Sequence, residues 1–311
     1  MIITVTLNPS QDKTLRVDGL RLDSICRADI LRITAGGKGI NVCRAIKRLG
    51  GDTLALTLLG GATGGLIASL LKNEGIEVQF TPIAGDSRTC LSLIDSLKKT
   101  ETIINENGPS VTVPEQQSFK SMYGGAIGKG DIIVISGSAA AGIDGAIFPE
   151  LIETAHIKGA ATILDASGEF LAAGIKAIPN VIKINKQEFG RLTGKPLNSR
   201  AAVIEEMSRL AALVGIGRVI ITDGGGRTLA LSGSEVWQVT PPRVEPLSTL
   251  GSGDCVSAVL AMGMERDMPF EAALVEAAAA GAQNTLSYGA GIIDKEGVIK
   301  LSLLTKIKRV Y

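Results

Sequence analysis

The chain has 311 residues, 45% of them apolar, and its 32 Lys and Arg nearly balance its 31 Asp and Glu, for a net charge of +1. That length can bury a large core, and the charge balance excludes a surface built to hold a polyanion such as nucleic acid. Cys26, Cys43, Cys90 and Cys255 show no CxxC spacing and no accompanying histidine cluster, which excludes a zinc site and a disulfide framework, and no apolar run is long enough to span a membrane. A soluble, cytoplasmic protein is expected, because the start of the chain has neither a basic n-region nor a small-residue cleavage site. The single histidine, His156, lies in a helix-like stretch away from every motif. Proton transfer therefore falls to carboxylates.

Residues 1–7 read as a buried strand by their β-branched content, and Asn8-Pro9-Ser10 ends it. Asp12 follows, near a strand end where open α/β sheets bind ligands and where turns also favour Asp. Short alternating patterns over residues 14–33 and again over 89–107 predict small half-exposed strands that pair into one accessory sheet, spanning about 13–34 and 88–108. Between these pieces Gly36-Gly37-Lys38-Gly39-Ile40-Asn41 leads into a helix over 42–50. Its glycines let the backbone approach a ligand, and Asn41 can both donate to and accept from hydroxyls. It is not a Walker A loop, because Gly39 follows Lys38.

A strand over 52–60 and a helix over 62–74 come next, joined by glycines whose spacing does not match a dinucleotide fingerprint. Arg88 carries a guanidinium suited to a phosphate ester. From residue 132 onward, strands over 132–136, 162–165 and 181–185 alternate with helical stretches, which predicts an α/β fold with a mainly parallel sheet and ligands at the carboxyl ends of its strands. Those ends carry Ser136-Gly137-Ser138, Asp165-Ala166-Ser167-Gly168 and Lys183-Ile184-Asn185-Lys186-Gln187-Glu188. On their own residues, Asn185 and Glu188 read as a helix cap and a first-turn acid. The strand over 218–222 runs into Asp223-Gly224-Gly225-Gly226, and a hairpin over 228–231 and 235–240 turns at Gly233-Ser234.

The richest stretch is Ser248-Thr249-Leu250-Gly251-Ser252-Gly253-Asp254, followed by an apolar run. Small residues at a helix start offer unpaired amides and a dipole to an anion. Asp254 in the first turn lies beside that anion, within reach of a proton on the attacking group. A last long helix over 269–286 contains Ala277–Ala280 and ends near Asn284.

Ser248–Asp254 is similar to the C-terminal signature (D/S)-T-x-G-A-G-D of the PfkB family of ribokinase-like sugar kinases, with Ser252 in place of the commoner alanine. Ala35-Gly36-Gly37-Lys38-Gly39-Ile40-Asn41-Val42 resembles that family's N-terminal signature. Glu101-Thr102-Ile103-Ile104-Asn105-Glu106-Asn107-Gly108-Pro109 is similar to the E-T-x-I-N-x-x-G-P segment of 1-phosphofructokinases and tagatose-6-phosphate kinases. The resemblance implies one ribokinase-like domain over 1–311, a parallel sheet flanked by helices, and a small β-sheet lid over the sugar site that also forms homodimers in related kinases. It further implies transfer of a phosphoryl group from ATP, with Mg²⁺, to fructose 1-phosphate or tagatose 6-phosphate. In that reading Asp254 is the general base, with Gly251, Ser252 and Gly253 as an anion hole. Asp12, Gly37, Lys38, Asn41 and Ser138 hold the sugar, and Arg88 and Arg27 its phosphate. Lys183, Asn185, Thr222, Gly224, Gly225, Gly251 and Gly253 hold ATP, Asn284 faces the adenine, and Glu188, through water, and Asn185 serve Mg²⁺. Asp223 receives no role. Two alternatives stay open: a fructose 6-phosphate kinase, and a sugar-phosphate sensor that has kept the pocket without the chemistry. A nicotinamide-dependent oxidoreductase would need G-x-G-x-x-G after its first strand, where this chain has Asn8-Pro9.

Overall fold

Five consecutive β-branched residues, all buried, make β1 (Ile2–Thr6) an inner strand of the main sheet in the computed structural model, which describes residues 1–311. After it the chain builds β2 (Ser10–Val17), β3 (Ala28–Gly36), α1 (Lys38–Arg48), β4 (Thr53–Gly60), α2 (Gly61–Asn73), β5 (Glu77–Ile83), β6 (Arg88–Asp95) and β7 (Thr100–Asn105). Next come α3 (Val113–Ala126), β8 (Ile132–Gly137), α4 (Ile147–Ile157), β9 (Ala161–Ala166), α5 (Gly168–Gly174), β10 (Val181–Asn185), α6 (Lys186–Thr193), α7 (Arg200–Val214) and β11 (Arg218–Thr222). The chain closes with β12 (Thr228–Ser232), β13 (Glu235–Thr240), α8 (Ser252–Glu265), α9 (Phe270–Asn284), α10 (Lys295–Ser302) and β14 (Lys306–Arg309).

The main sheet has ten strands in the order β14-β13-β12-β11-β10-β9-β8-β1-β4-β5. From β11 to β5 all neighbours are parallel, whereas β12, β13 and β14 pair antiparallel at one edge. Side chains alternate between two cores. Ile3, Val5, Ile133 and Ile135 pack under one face, while Ile2, Ile132 and Val134 pack against α1, α8 and α9 on the other. The chain leaves β1 for β4 on one side and returns through β8 on the other, so the order in which strands are added reverses beside β1 while the strands stay parallel. This is the switch point at which open α/β sheets gather ligands.

The lid is a separate four-stranded sheet in the order β3-β2-β6-β7, with β2 and β6 parallel. It starts earlier than the sequence pattern predicts. Asp12 lies inside β2, opposite Thr34 of β3 and Cys90 of β6, and not in a turn. The lid leaves Leu22, Ile25, Leu97, Ile103 and Ile104 exposed, with Leu22 and Ile25 more than 90% accessible. No helix is long and apolar enough to cross a membrane.

Several elements lie outside the pattern read from the sequence. The edge strand β5 is largely exposed and contains Pro82, which only an edge tolerates. Helix α3 starts with a capping box in which Thr112 and Glu115 satisfy each other's backbone donors, with Pro114 in the first turn.

Candidate active site

Gly251 sits at φ 79° immediately before α8, and a Cβ there would stand 2.3 Å from Cβ of Ala290. Only glycine allows both that turn and that contact. Within the turn, the Ser252 N–H points back to Thr249 O at 3.3 Å and the Asp254 N–H to Gly251 O at 3.1 Å. The amides of Gly251 and Gly253 have no backbone acceptor in the turn, and Gly251, Ser252 and Gly253 all line the same cleft. Gly253 also packs against Lys183, whose Nζ would be 2.8 Å from an added Cβ.

Asp254 is 5% exposed, and its Oδ2 accepts a hydrogen bond from Nδ2 of Asn41 at 2.8 Å. Burial pushes its carboxyl above the ordinary range. Lys38 pulls the other way, Asp165 adds to the rise, and Lys183 and the Asn41 amide oppose it. Asp165, at the end of β9, is fully buried and has a function the sequence reading did not assign. Its Oδ1 accepts from Lys38 Nζ at 3.1 Å, and its Oδ2 from Lys183 Nζ and Ser257 Oγ, both at 2.8 Å. Burial opposes ionisation of Asp165, but Lys183 and Lys38 outweigh it and hold the carboxyl below the usual range. Asp165 in turn raises Lys38, which therefore stays charged at the mouth of the anion turn.

These groups open into one polar cleft of about 520 Å³ over the switch point. Its lining takes Asp12, Thr34, Cys90 and Asn105 from the lid, with Gly37, Lys38, Asn41 and Ser138 from the body. Burial raises Asp12, while Ser10 Oγ donates to its Oδ1 at 2.5 Å. Arg88 reaches the same cleft with its terminal nitrogens on the carbonyls of Glu106 and Asn8, both at 3.0 Å, and its buried Nε unpartnered. The ends of β10 and β11 and the start of α6 add Lys183, Asn185, Glu188, Thr222 and Gly224 to the lining. A second hollow of about 590 Å³, between Asp131 and Phe270 at the amino ends of the strands, holds none of these residues.

Two expected site residues, Arg27 and Asn284, lie away from the cleft and need correction, whereas Gly225 stands at its edge and Asn41 in its wall. Arg27 lies in the exposed β2–β3 connection, in a separate hollow with Arg16, Arg21 and Asp29, so it does not reach the cleft. Gly225 lies one residue past the lining set. Asn284 is fully buried, its Nδ2 donating to Leu250 O at 2.8 Å and its Oδ1 accepting from Ile292 N at 3.1 Å. Its amide ties the loop before the anion turn to α9 and faces no ligand. Asn41 lines the cleft, giving one Nδ2 hydrogen to Asp254 and accepting from Arg44 at Oδ1, with its second Nδ2 hydrogen uncommitted.

Asn185 and Glu188 form a reciprocal capping box at the start of α6, Asn185 Oδ1 accepting from Glu188 N at 2.8 Å and Glu188 Oε2 from Asn185 N at 2.9 Å. The cap reading of these two residues is thus realised, while both still line the cleft. Nowhere do three His, Cys, Asp or Glu side chains converge as a metal cage. The donors present fit a hard cation that arrives on nucleotide phosphates, keeps its waters and takes one outer contact from Glu188.

The model of the pfkB family of carbohydrate kinases matches residues 6–296. The chain belongs to that family. Among solved structures, phosphofructokinase-2 from Escherichia coli in complex with potassium is 27% identical, with a TM-score of 0.93 over 97% of this chain and 98% of that one. The same enzyme in complex with fructose-6-phosphate gives a TM-score of 0.91 at 27% identity, over the same shares of the two chains. A "possible 1-phosphofructokinase" from Thermotoga maritima, 24% identical, shares the fold over the full length of both chains with a TM-score of 0.83. As a pfkB kinase, the chain is a phosphotransferase with an alcohol group as acceptor, and the family implies ATP as donor.

Proposed function

We propose that this kinase phosphorylates a ketohexose phosphate, fructose 1-phosphate or tagatose 6-phosphate, to the bisphosphate, using ATP with Mg²⁺. The observation that carries the reading is Asp254, a buried carboxylate in the first turn of α8, between the uncommitted amides of Gly251 and Gly253 and a lid that brings Arg88 and Asp12 to the same cleft. Asp254 removes the proton from the acceptor hydroxyl as the oxygen attacks the terminal phosphorus. The amides of Gly251 and Gly253, with the charged Lys38, face the negative charge on the transferring group. Lys183, Thr222 and Gly224 support the nucleotide phosphates, and Glu188 and Asn185 would hold the Mg²⁺ waters. That cation, when bound, neutralises phosphate charge. Asp12, Gly37 and Ser138 orient the sugar so that one hydroxyl meets Asp254.

The kinship with Escherichia coli phosphofructokinase-2, solved with fructose-6-phosphate, supports fructose 6-phosphate as a second candidate acceptor. Arg88 is assigned to the ester phosphate in either case. Arg88→Ala is expected to raise KM for the ester by roughly 10- to 100-fold, the loss of one charge-assisted contact, and to leave KM for ATP unchanged. Equal KM values for wild type and variant would remove Arg88 from the phosphate site.

The exposed apolar lid residues Leu22, Ile25 and Ile104 support a homodimer through the lid. Sedimentation at micromolar concentration should give twice the chain mass in the wild type and one chain mass for Ile25→Asp. A single-chain mass for the wild type would overturn this interface. A cytoplasmic setting suits the four unpaired cysteines.

A further inference from the structure

Arg44 of α1 is 1% exposed and uses all five of its N–H donors. Nε and one Nη2 hydrogen go to the two carboxylate oxygens of Glu74, the other Nη2 hydrogen to Ala35 O at the base of the lid, and Nη1 to Ala290 O behind Gly251 and to Oδ1 of Asn41 at 3.0 Å. None of these contacts involves a ligand.

The contact to Asn41 carries the consequence. An Asn side chain has one accepting and one donating end, and rotation by half a turn exchanges them. Arginine only donates. The end of Asn41 that meets Arg44 must therefore be the carbonyl oxygen, and the end that meets Asp254 at 2.8 Å must be the NH₂ group. An NH₂ group can only donate, so it favours the ionised carboxylate. Turned over, the same amide would offer its oxygen and favour the protonated acid, which cannot act as a base.

We propose that Arg44, held by Glu74, is a positioning residue that locks the Asn41 amide with its NH₂ toward Asp254 and so keeps the buried carboxyl in its proton-accepting form. The proposal deepens the reading of Asp254 as the base and rests on it. The other charged groups facing Asp254 are Lys38 on α1, Asp165 on β9 and Lys183 on β10. They supply a field but leave the amide free to rotate, since none of them bonds Asn41.

The test separates geometry from charge. In the full-length protein with ¹³C-labelled aspartate carboxyls, the Asp254 signal is identified by its disappearance in Asp254→Asn and titrated by NMR. Arg44→Lys keeps the charge and loses the fork, and it is expected to raise the Asp254 midpoint by about one pH unit. Glu74→Gln, a gentler change on a partly exposed residue, is expected to raise it by less, although removing a negative charge alone would lower it. With Asn41→Ala already present, neither change should raise the midpoint further. If Arg44→Lys does not fold, Glu74→Gln decides on its own by the sign of its shift. A midpoint that is unchanged or lowered in the folded variants overturns the proposal. Full turnover in Asp254→Asn would instead remove the base, leaving the titration to report on the amide alone.

Discussion

Asp254→Asn is expected to lower kcat by roughly 10²- to 10⁴-fold, the range for loss of a general base, while KM for ATP stays near its wild-type value. The substitution is nearly isosteric and keeps a partner for Asn41, so the amide turn before α8 should survive. Its pH signature is as informative as its size. Burial holds the Asp254 carboxyl above the ordinary carboxylate range, and the base works only when ionised. The acid limb of kcat in the wild type should therefore fall at a higher pH than an exposed Asp, near 3.9, would give, and this limb should vanish in Asp254→Asn. Stability should move the opposite way. A carboxyl whose folded pKa is raised binds its proton more tightly folded than unfolded, so it costs stability as pH rises from the unfolded pKa through the folded one. Asp254→Asn removes that cost at neutral pH. A thermal melt at pH 7 should show Tm unchanged or raised, which keeps lost activity from being mistaken for lost structure. Turnover within a factor of two of wild type would end the assignment.

Asp165→Ala is expected to be the most damaging single change to stability in the site. The buried carboxylate accepts from Lys38, Lys183 and Ser257 together. Removing it leaves Lys183, 4% exposed, without its only direct ion pair and leaves two ammonium groups sharing the more distant Asp254. Breaking a buried pair from one side typically costs about 3–5 kcal/mol, and for a chain of this size that corresponds to a Tm lower by roughly 10 °C. The same carboxyl sets an acid limit. Its folded pKa lies below its unfolded value, so its stabilisation is fully present above about pH 4 and is lost as pH falls toward the folded pKa. Acid titration of Tm should accordingly be shallower below pH 4 in Asp165→Ala than in the wild type. Equal Tm values at pH 7 would show that Lys38 and Lys183 are held by other means.

Much of this site is legible along the chain because its parts are contiguous. Gly36–Asn41 and Ser248–Asp254 are each a glycine turn running into a helix, and the fold brings these two helix starts together beside β1. The parallel sheet is legible for the same reason, since β1, β8, β9, β10 and β11 are short runs rich in Ile, Val and Thr. Asp165 is not, because its role depends on two lysines 127 and 18 residues away. Arg44 and Glu74 carry no motif that marks them, and only the fold turns Arg44 into the core against Glu74. Asn284 misleads in the opposite sense: it ends a helix that approaches the cleft, but the buried loops around it need its amide more than a ligand could. Asp12 reads as a turn residue, and only its pairing with both β3 and β6 places it on the lid's inner face. The edge elements β5 and β14 carry mixed exposure, so no period-2 pattern announces them.

Under the proposed function, this cleft transfers phosphate from ATP to a phosphorylated ketohexose. The most direct test is ADP release from ATP and Mg²⁺ with fructose 1-phosphate, tagatose 6-phosphate, fructose 6-phosphate, free fructose and free ribose supplied separately. Turnover with one of the esters, and at least tenfold lower kcat/KM on the free sugars, is the predicted result. Turnover confined to the free sugars would contradict the role given to Arg88 and the lid, and ADP release with none of the five would contradict the claim itself.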